Sequence, residues 1–171
     1  TARKHKTIRV YPLLEKRGRV EAINLFISKA RGNVIVLFPA DDEYDTEDIL
    51  LLAEPVVKNQ FGVVYGSRMI KCVDFGKRIR TIYGEHNRLG YFVSKYGGMA
   101  FSVASLLLYN RFITDPFTTI KAFDGSVLKD ISLDASGVDL EAELIAKLSK
   151  RRIFILELPV QYRPRTRAQG K

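Results

Sequence analysis

Short apolar runs alternate with segments of helical periodicity along this chain. Residues 34–38 (VIVLF) form an uninterrupted apolar run, which is typical of a strand buried on both faces of a parallel sheet. Residues 20–30 carry apolar side chains at helical spacing directly before it. A helix over 46–57 and a short apolar strand over 62–65 repeat the pattern. Together with a strand predicted at 7–14, these elements make the chain begin as consecutive β-α-β units.

This alternation predicts an α/β fold with an open, mostly parallel sheet and helices on both of its faces. In such sheets ligands bind at the carboxyl ends of the strands. Residues 39–45 and 66–68 follow two of the predicted strands and are expected on the same rim.

The remaining elements follow from the same patterns, and no internal repeat interrupts them. One domain is expected over residues 1–171. The further predictions are a strand at 7–14 with Pro12 at an edge or a strand end, a polar loop at 71–80, a helix at 83–110 whose broad apolar face is interrupted by Gly97 and Gly98, a strand at 119–123, helices at 126–131 and 140–150, a strand at 153–156 and an extended segment at 159–164.

The charge distribution points to an anionic partner. The formal net charge is +9, with basic residues crowding both ends and acidic residues lying mostly in 41–54. Nucleic acid, a phosphorylated small molecule and an anionic membrane face all fit this pattern. Nucleic acid is not expected, because aromatic residues are not interleaved with the basic ones.

Two further features narrow the class of protein. The single cysteine, Cys72, excludes an internal disulfide and favours a reducing compartment. The most apolar run, 99–109, is shorter than the roughly 20 residues of a membrane helix. We therefore expect a chain that is soluble or peripheral to a membrane.

Carboxylates dominate the segment after the buried strand at 34–38. A divalent cation that bridges a diphosphate needs oxygen ligands, usually one or two carboxylates together with phosphate oxygens and water. Asp41 and Glu43 are the best placed for this role. The acids at Asp45, Glu47 and Asp48 are explained by the dipole of the helix that follows, with Asp45 or Thr46 as its cap.

Several motifs occur together in one order. They are KRG at 16–18, FPADDEYDTED at 38–48, VVYGSR at 63–68, DPFTTIKAF at 115–123 and ELPVQYRPR at 157–165. This ordered set resembles family-two glycosyltransferases with the glycosyltransferase-A fold. The pattern is most similar to dolichol-phosphate mannose synthases and other polyprenyl-phosphate glycosyltransferases.

The resemblance implies transfer of a sugar from a nucleotide-diphosphate sugar to a polyprenyl (dolichyl) phosphate. It also implies peripheral contact with the cytoplasmic face of a membrane and a Mg²⁺ or Mn²⁺ cofactor. The family's metal motif falls on residues 39–41, with a further ligand at Glu43. Pro39 replaces the first aspartate of that motif. The implied ligands are therefore Asp41 and Glu43, with metal binding weakened or lost.

By the same resemblance, Asp41, Asp115 and Arg68 are the candidate catalytic residues. A polyprenyl phosphate is already anionic near pH 7, so it needs positioning and charge neutralisation more than a general base. The candidate substrate-binding residues are Arg68, Arg80, Arg163, Arg165 and Lys171. Each assignment has an alternative. Arg68 and Arg80 could be solvated surface arginines, and Arg163, Arg165 and Lys171 could belong to an ordinary basic tail. Asp115 could cap a turn.

The resemblance also bears on completeness and on competing functions. The strand and loops that hold the nucleotide in this family are expected before residue 7, so we expect an N-terminally truncated domain that binds sugar nucleotides poorly.

Asp139 and Glu141 match a commonly acidic pair of the family and are expected to cap the following helix and to interact with its dipole. The alternatives are a polysaccharide or protein acceptor, and a degenerate, non-catalytic binding module.

Overall fold

A computed structural model describes residues 8–12, 19–70, 88–134 and 139–165, with the backbone only for 88–95. Nine helices and strands lie within these ranges. They are α1 (Arg19–Lys29), β1 (Val34–Leu37), α2 (Glu47–Val57), β2 (Val63–Ser67), α3 (Arg88–Tyr109), β3 (Lys121–Asp124), α4 (Gly125–Lys129), α5 (Asp139–Lys150) and β4 (Ile155–Pro159).

The described strands form one sheet in the order β1-β3-β2-β4. Strand β3 is antiparallel to both β1 and β2, whereas β2 and β4 are parallel. Strands β1, β2 and β4 therefore run in the same direction, and β3 is inserted between them with the opposite direction. The predicted α/β class is confirmed. The reversed central strand was not predicted, because a short apolar run carries no information on its direction.

Apolar side chains are buried on both faces of the sheet, as predicted. Because side chains alternate along a strand, Val63 and Val64 enter different cores. The larger core lies under α1, α4 and α5 and includes Tyr65 and Phe123. The smaller core lies under α2 and includes Leu52.

Gly66 lies where β2 passes closest to its neighbours. A Cβ atom there would lie 2.6 Å from Ile120 Cγ2 and 2.7 Å from Val160 Cγ1. Because real Cβ atoms do not approach other atoms so closely, a larger residue here would force the Ile120 or Val160 side chain to shift. This close packing fixes the residues that follow β2.

A buried ionic cluster lies beside the larger core. Lys121 is 2% exposed, and its Nζ lies 2.7 Å from Glu141 Oε2 and 4.8 Å from the ring centroid of Tyr65. Glu141 also pairs with Arg19. Burial lowers the pKa of Lys121, and the positive charge of Arg19 lowers it further. Glu141 therefore does more than the predicted dipole effect: it is the counter-charge of a buried lysine.

One of the predicted elements needs correction. Residues 8–12 form no strand, because nothing in the described part of the chain pairs with their backbone, and Ile8 and Val10 are about half exposed. The rest of the predicted strand lies outside the described residues, as does the loop at 71–80. The helix predicted over 83–110 is present as α3 and includes Gly97 and Gly98, because helical hydrogen bonding tolerates glycine at a modest cost.

Candidate active site

The sequence-predicted site residues come together on one rim of the sheet. Strands β1, β2 and β4 share a direction, so the segments that follow them leave the sheet at the same edge. Strand β3 runs the other way, so the loop that precedes it reaches that edge as well. The predicted residues on this rim are Asp41, Glu43, Arg68, Asp115, Arg163 and Arg165. Arg80 and Lys171 lie outside the described residues.

The segment 38–45, here called the acidic turn, leaves β1 and places its carboxylates in different surroundings. Asp41 Oδ1 accepts a hydrogen bond from the Glu43 backbone N–H at 3.2 Å. Asp42 has φ 59°, a left-handed conformation that aspartate tolerates better than most residues. This tight turn leaves Asp42 exposed and buries Glu43 to 8% exposure.

Glu43 is bound to residues 160–165, here called the basic arm, which extends past the end of β4. Its Oε2 accepts a hydrogen bond from the Tyr162 hydroxyl at 2.7 Å, and its Oε1 accepts one from the Arg165 backbone N–H at 3.0 Å. The Glu43 carbonyl accepts a third from the Arg163 N–H at 2.8 Å. Burial raises the pKa of the Tyr162 hydroxyl, and the Glu43 carboxylate raises it further.

A second buried acid holds the same arm. Asp48, 6% exposed in the first turn of α2, accepts a hydrogen bond from the Gln161 N–H at 3.0 Å. The helix dipole therefore does not explain Asp48 completely. Asp45 Oδ1 accepts the Glu47 N–H at 3.1 Å just before α2, whereas Thr46 at the N-cap position makes no side-chain capping hydrogen bond. Tyr44 pairs with Tyr162 across an isolated antiparallel bridge, with ring centroids 5.1 Å apart.

An open cleft lies between the acidic turn and the basic arm. Its volume is about 550 Å³. The residues that line it are Ala40, Asp41, Asp42, Arg163, Pro164 and Arg165. Carboxylates on one wall and guanidinium groups on the other give this cleft both signs of charge, which suits a ligand that combines a cation with an anionic group.

Arg68 and Asp115 form a buried ion pair next to the cleft. Arg68 Nε and Nη2 donate to Asp115 Oδ2 and Oδ1 at 2.7 and 2.8 Å, and the Arg68 backbone N–H donates to Oδ2 at 3.0 Å. The two side chains are 17% and 4% exposed. Burial alone would lower the pKa of Arg68, but the hydrogen bonds and negative charge of Asp115 outweigh it and raise that pKa. Arg68 therefore stays charged and paired.

This pair joins three segments of the rim. The N–H groups of Thr114 and Asp115 donate to the Glu157 carboxylate on β4 at 2.7 and 3.0 Å. On the other side, Arg68 Cζ lies 5.2 Å from the ring centroid of Tyr162, a cation–π contact. The contacts therefore link the loop before β3, the end of β2 and the basic arm. Contact of Arg68 with the acceptor phosphate stays a prediction.

The rim fits a divalent cation only through the carboxylates that line its cleft. Within the described ranges, no group of three or more histidine, cysteine or acidic side chains could enclose a metal. Pro39 has no ligand atom, and Glu43 already accepts hydrogen bonds from the arm. Asp41 and Asp42 line the cleft. One or two carboxylates are what Mg²⁺ commonly takes from a protein when phosphate oxygens complete its coordination.

The comparison with known families decides the class of this protein. Residues 1–117 match the Glycosyl transferase family 2 domain. The chain belongs to glycosyl transferase family 2. The matched region of this family 2 chain contains the acidic turn, Arg68 and Asp115, while the basic arm lies beyond it.

One relative of this glycosyl transferase family 2 chain is a protein of Methanococcus voltae. It is named UDP-N-acetylglucosamine--dolichyl-phosphate N-acetylglucosaminyltransferase, and it is 25% identical over 132 residues. The alignment covers 76% of this chain and 48% of that protein. The chain thus spans about half the length of this curated relative.

Three residues that join segments of this rim are not indicated by the motifs: Tyr44, Tyr162 and Glu157. The tyrosines lie in motifs dominated by charged residues, and no local pattern shows that they link the two segments. Glu157 did carry a signal, because it is the single acid in the otherwise apolar strand ILELP. An acid in such a strand usually has a buried partner.

Proposed function

We propose that this protein transfers a sugar from a nucleotide-diphosphate sugar to a polyprenyl phosphate. The observation that carries the proposal is the cleft in which Asp41 and Asp42 lie opposite Arg163 and Arg165. Membership of glycosyl transferase family 2 and the name of the Methanococcus voltae relative support it. The donor diphosphate would lie in the cleft.

In the proposed reaction an anionic oxygen of the acceptor phosphate attacks C1 of the sugar. The bond between C1 and the donor diphosphate breaks, and the nucleoside diphosphate leaves with the electron pair. No side chain has to remove a proton, because the attacking oxygen is already ionised near pH 7. The residues act by position and charge: Arg163 and Arg165 stabilise the charge that develops on the leaving diphosphate.

A divalent cation fits this scheme through Asp41, with Asp42 beside it. When bound, it would neutralise negative charge on the departing diphosphate. Asp41 would hold the cation, and the arginines would bind the phosphate oxygens that the cation leaves free. With Pro39 in place of an aspartate, we expect the cation to bind mainly as a complex with the donor.

A lipid acceptor also requires contact with a membrane, and helix α3 offers a surface for it. Ser102 and Ser105 are buried on this helix, whereas Leu107 and Leu108 are 79% and 73% exposed. Ser102 Oγ donates to the Ile113 carbonyl at 2.6 Å. Other exposed apolar side chains on α3 are Tyr96, Met99, Val103 and Leu106. An exposed apolar face of this size is typical of an interaction site.

We assign the outer face of α3 to the membrane interface, on the cytoplasmic side where nucleotide sugars are available. In the described part of the chain, no helix is both long and apolar enough to cross a bilayer. A helix that buries polar groups and exposes leucines would instead lie in the interface plane.

The membrane assignment is tested by flotation with anionic vesicles. The Leu107→Gln/Leu108→Gln variant should lose most of its vesicle binding. Leu50→Gln is the matched control, because Leu50 is 74% exposed on α2 and should not affect binding. Equal flotation of all three proteins would reject α3 as the membrane-binding element.

The reaction itself is tested with protein expressed from its complete reading frame. Radiolabelled nucleotide sugars are incubated with a short polyprenyl phosphate and Mg²⁺, and the lipid product is extracted. We expect transfer that falls at least about 100-fold in Arg163→Ala/Arg165→Ala, since each charge-assisted contact contributes about 1.5–3 kcal/mol. Arg151→Ala, on a residue paired with Asp130, serves as the control.

The same assay separates the alternatives. If sugar is transferred to a polysaccharide or a protein and not to the lipid, the acceptor is not a polyprenyl phosphate. A protein that transfers to no acceptor, and gains no activity from Pro39→Asp, would be a degenerate binding module.

A further inference from the structure

The basic arm is held through alternate residues. The backbone N–H groups of Gln161, Arg163 and Arg165 donate to Asp48 Oδ2, the Glu43 carbonyl and Glu43 Oε1, respectively. Because alternate residues of an extended chain face the same side, all three groups point to the acidic turn and the start of α2. Glu43 supplies two of these acceptors and also accepts from the Tyr162 hydroxyl.

The environment of Glu43 differs from that of its neighbours. Asp41 and Asp42 line the cleft. Among the described residues that line it, Glu43 is absent. Glu43 is 8% exposed, and both of its carboxylate oxygens accept hydrogen bonds from the arm. Because both oxygens of this buried carboxylate already accept hydrogen bonds, Glu43 is better suited to anchoring the arm than to binding a cation.

We propose that Glu43 is a positioning residue, which holds Arg163 and Arg165 over the cleft and does not coordinate the cation. The proposal deepens the proposed function and rests on it for its effect on ligand binding. Without the Glu43 side chain, the Arg165 amide would lose its acceptor. The Arg163 amide would keep its backbone acceptor, but that carbonyl would no longer be held in place. Arg165 would also lose the carboxylate that lies 3.7 Å from its Nε. The arginines would then bind a diphosphate from a mobile segment, at an entropic cost.

Tyr162→Phe tests the anchor without altering Glu43. It removes the hydrogen bond to Oε2 and keeps the ring that contacts Tyr44 and Arg68. Tyr44→Phe is the matched control, since the Tyr44 hydroxyl accepts a hydrogen bond from Thr119 on the strand side of the turn. The first readout is hydrogen exchange at the Arg163 and Arg165 amides, measured by NMR.

We expect exchange at these two amides to accelerate about tenfold in Tyr162→Phe, the effect of one hydrogen bond to a charged group. Tyr44→Phe should leave their exchange unchanged. Unchanged exchange in Tyr162→Phe and also in Glu43→Gln would overturn the proposal. This readout needs no ligand, so it stands even if the proposed function fails.

The second readout is calorimetric binding of magnesium pyrophosphate. A positioning role predicts about tenfold weaker binding in Tyr162→Phe and in Glu43→Gln. A positioning role also predicts that adding Glu43→Gln to Arg163→Ala/Arg165→Ala does not weaken pyrophosphate binding further, because the guanidinium groups that Glu43 positions are already absent. If Glu43 coordinated the cation, Tyr162→Phe would leave binding unchanged or tighter, and the loss in Glu43→Gln would persist in that double variant.

If the wild-type protein binds no pyrophosphate or sugar nucleotide, the proposed function fails. The exchange measurement alone then decides whether Glu43 anchors the arm.

Discussion

Replacing Asp115 by asparagine should destabilise the fold by about 3 kcal/mol, because it leaves a buried guanidinium without its counter-charge. Three hydrogen bonds from Arg68 end on the Asp115 carboxylate. Breaking a buried ion pair by removing one partner costs about 3–5 kcal/mol. We take the lower end of that range, because Arg68 keeps 17% exposure and its contact with the Tyr162 ring.

The assay is urea unfolding followed by circular dichroism, with linear extrapolation to water. The same loss should appear as a drop of about 6–12 °C in the melting temperature. Asp130→Asn is the matched control. Asp130 also pairs with an arginine, Arg151, but its side chain is 76% exposed. We expect the control to change the free energy of unfolding by less than about 1 kcal/mol.

A loss of stability in Asp115→Asn that is no larger than in the control would show that Arg68 does not depend on Asp115 as its counter-charge. A second check uses Arg68→Met/Asp115→Leu, which removes both charges. It should be more stable than Asp115→Leu alone, because the unpaired guanidinium is gone.

Three further predictions address other parts of the fold. Gly66→Ala should cost about 1–3 kcal/mol in urea unfolding, since its Cβ would collide with Ile120. Glu141→Leu should lower stability by at least about 3 kcal/mol, because it leaves the buried Lys121 ammonium unpaired, and Lys121→Met should restore part of that loss. Asp124→Ala should cost about 1 kcal/mol, because Asp124 caps α4. The Ser126 hydrogen bond lowers the pKa of Asp124, so this cost should be complete above pH 3.8 and shrink as pH falls below it in a pH series of melts.

The order of helices and strands could be predicted because each apolar run has one dominant periodicity. The run at 34–38 became β1, and the helix predicted at 140–150 became α5. The direction of β3 could not be predicted, because it depends on how the loop before it turns at the rim. The strand predicted at 7–14 failed within 8–12, since β-branched composition alone does not supply a neighbouring strand.

The common rim of the candidate site residues could be predicted, but the contacts among them could not. Both 39–45 and 66–68 follow strands of the same direction, and this places them on one rim. The pairing of Arg68 with Asp115 joins residues 47 positions apart, which no local pattern records. The burial of Glu43 depends on the turn at Asp42, whose positive φ is a property of the folded chain.

The proposed donor site lies between the acidic turn and the basic arm, where the diphosphate of a sugar nucleotide would bind. It is tested by NMR titration of ¹⁵N-labelled protein, expressed from its complete reading frame, with a uridine or guanosine diphosphate sugar and Mg²⁺. We expect saturable shifts at the amides of Asp41, Asp42 and Arg163, with none at the remote Asp130, and at least tenfold weaker binding in Arg163→Ala/Arg165→Ala. Binding of equal strength in that variant, or shifts confined to other parts of the chain, would contradict it.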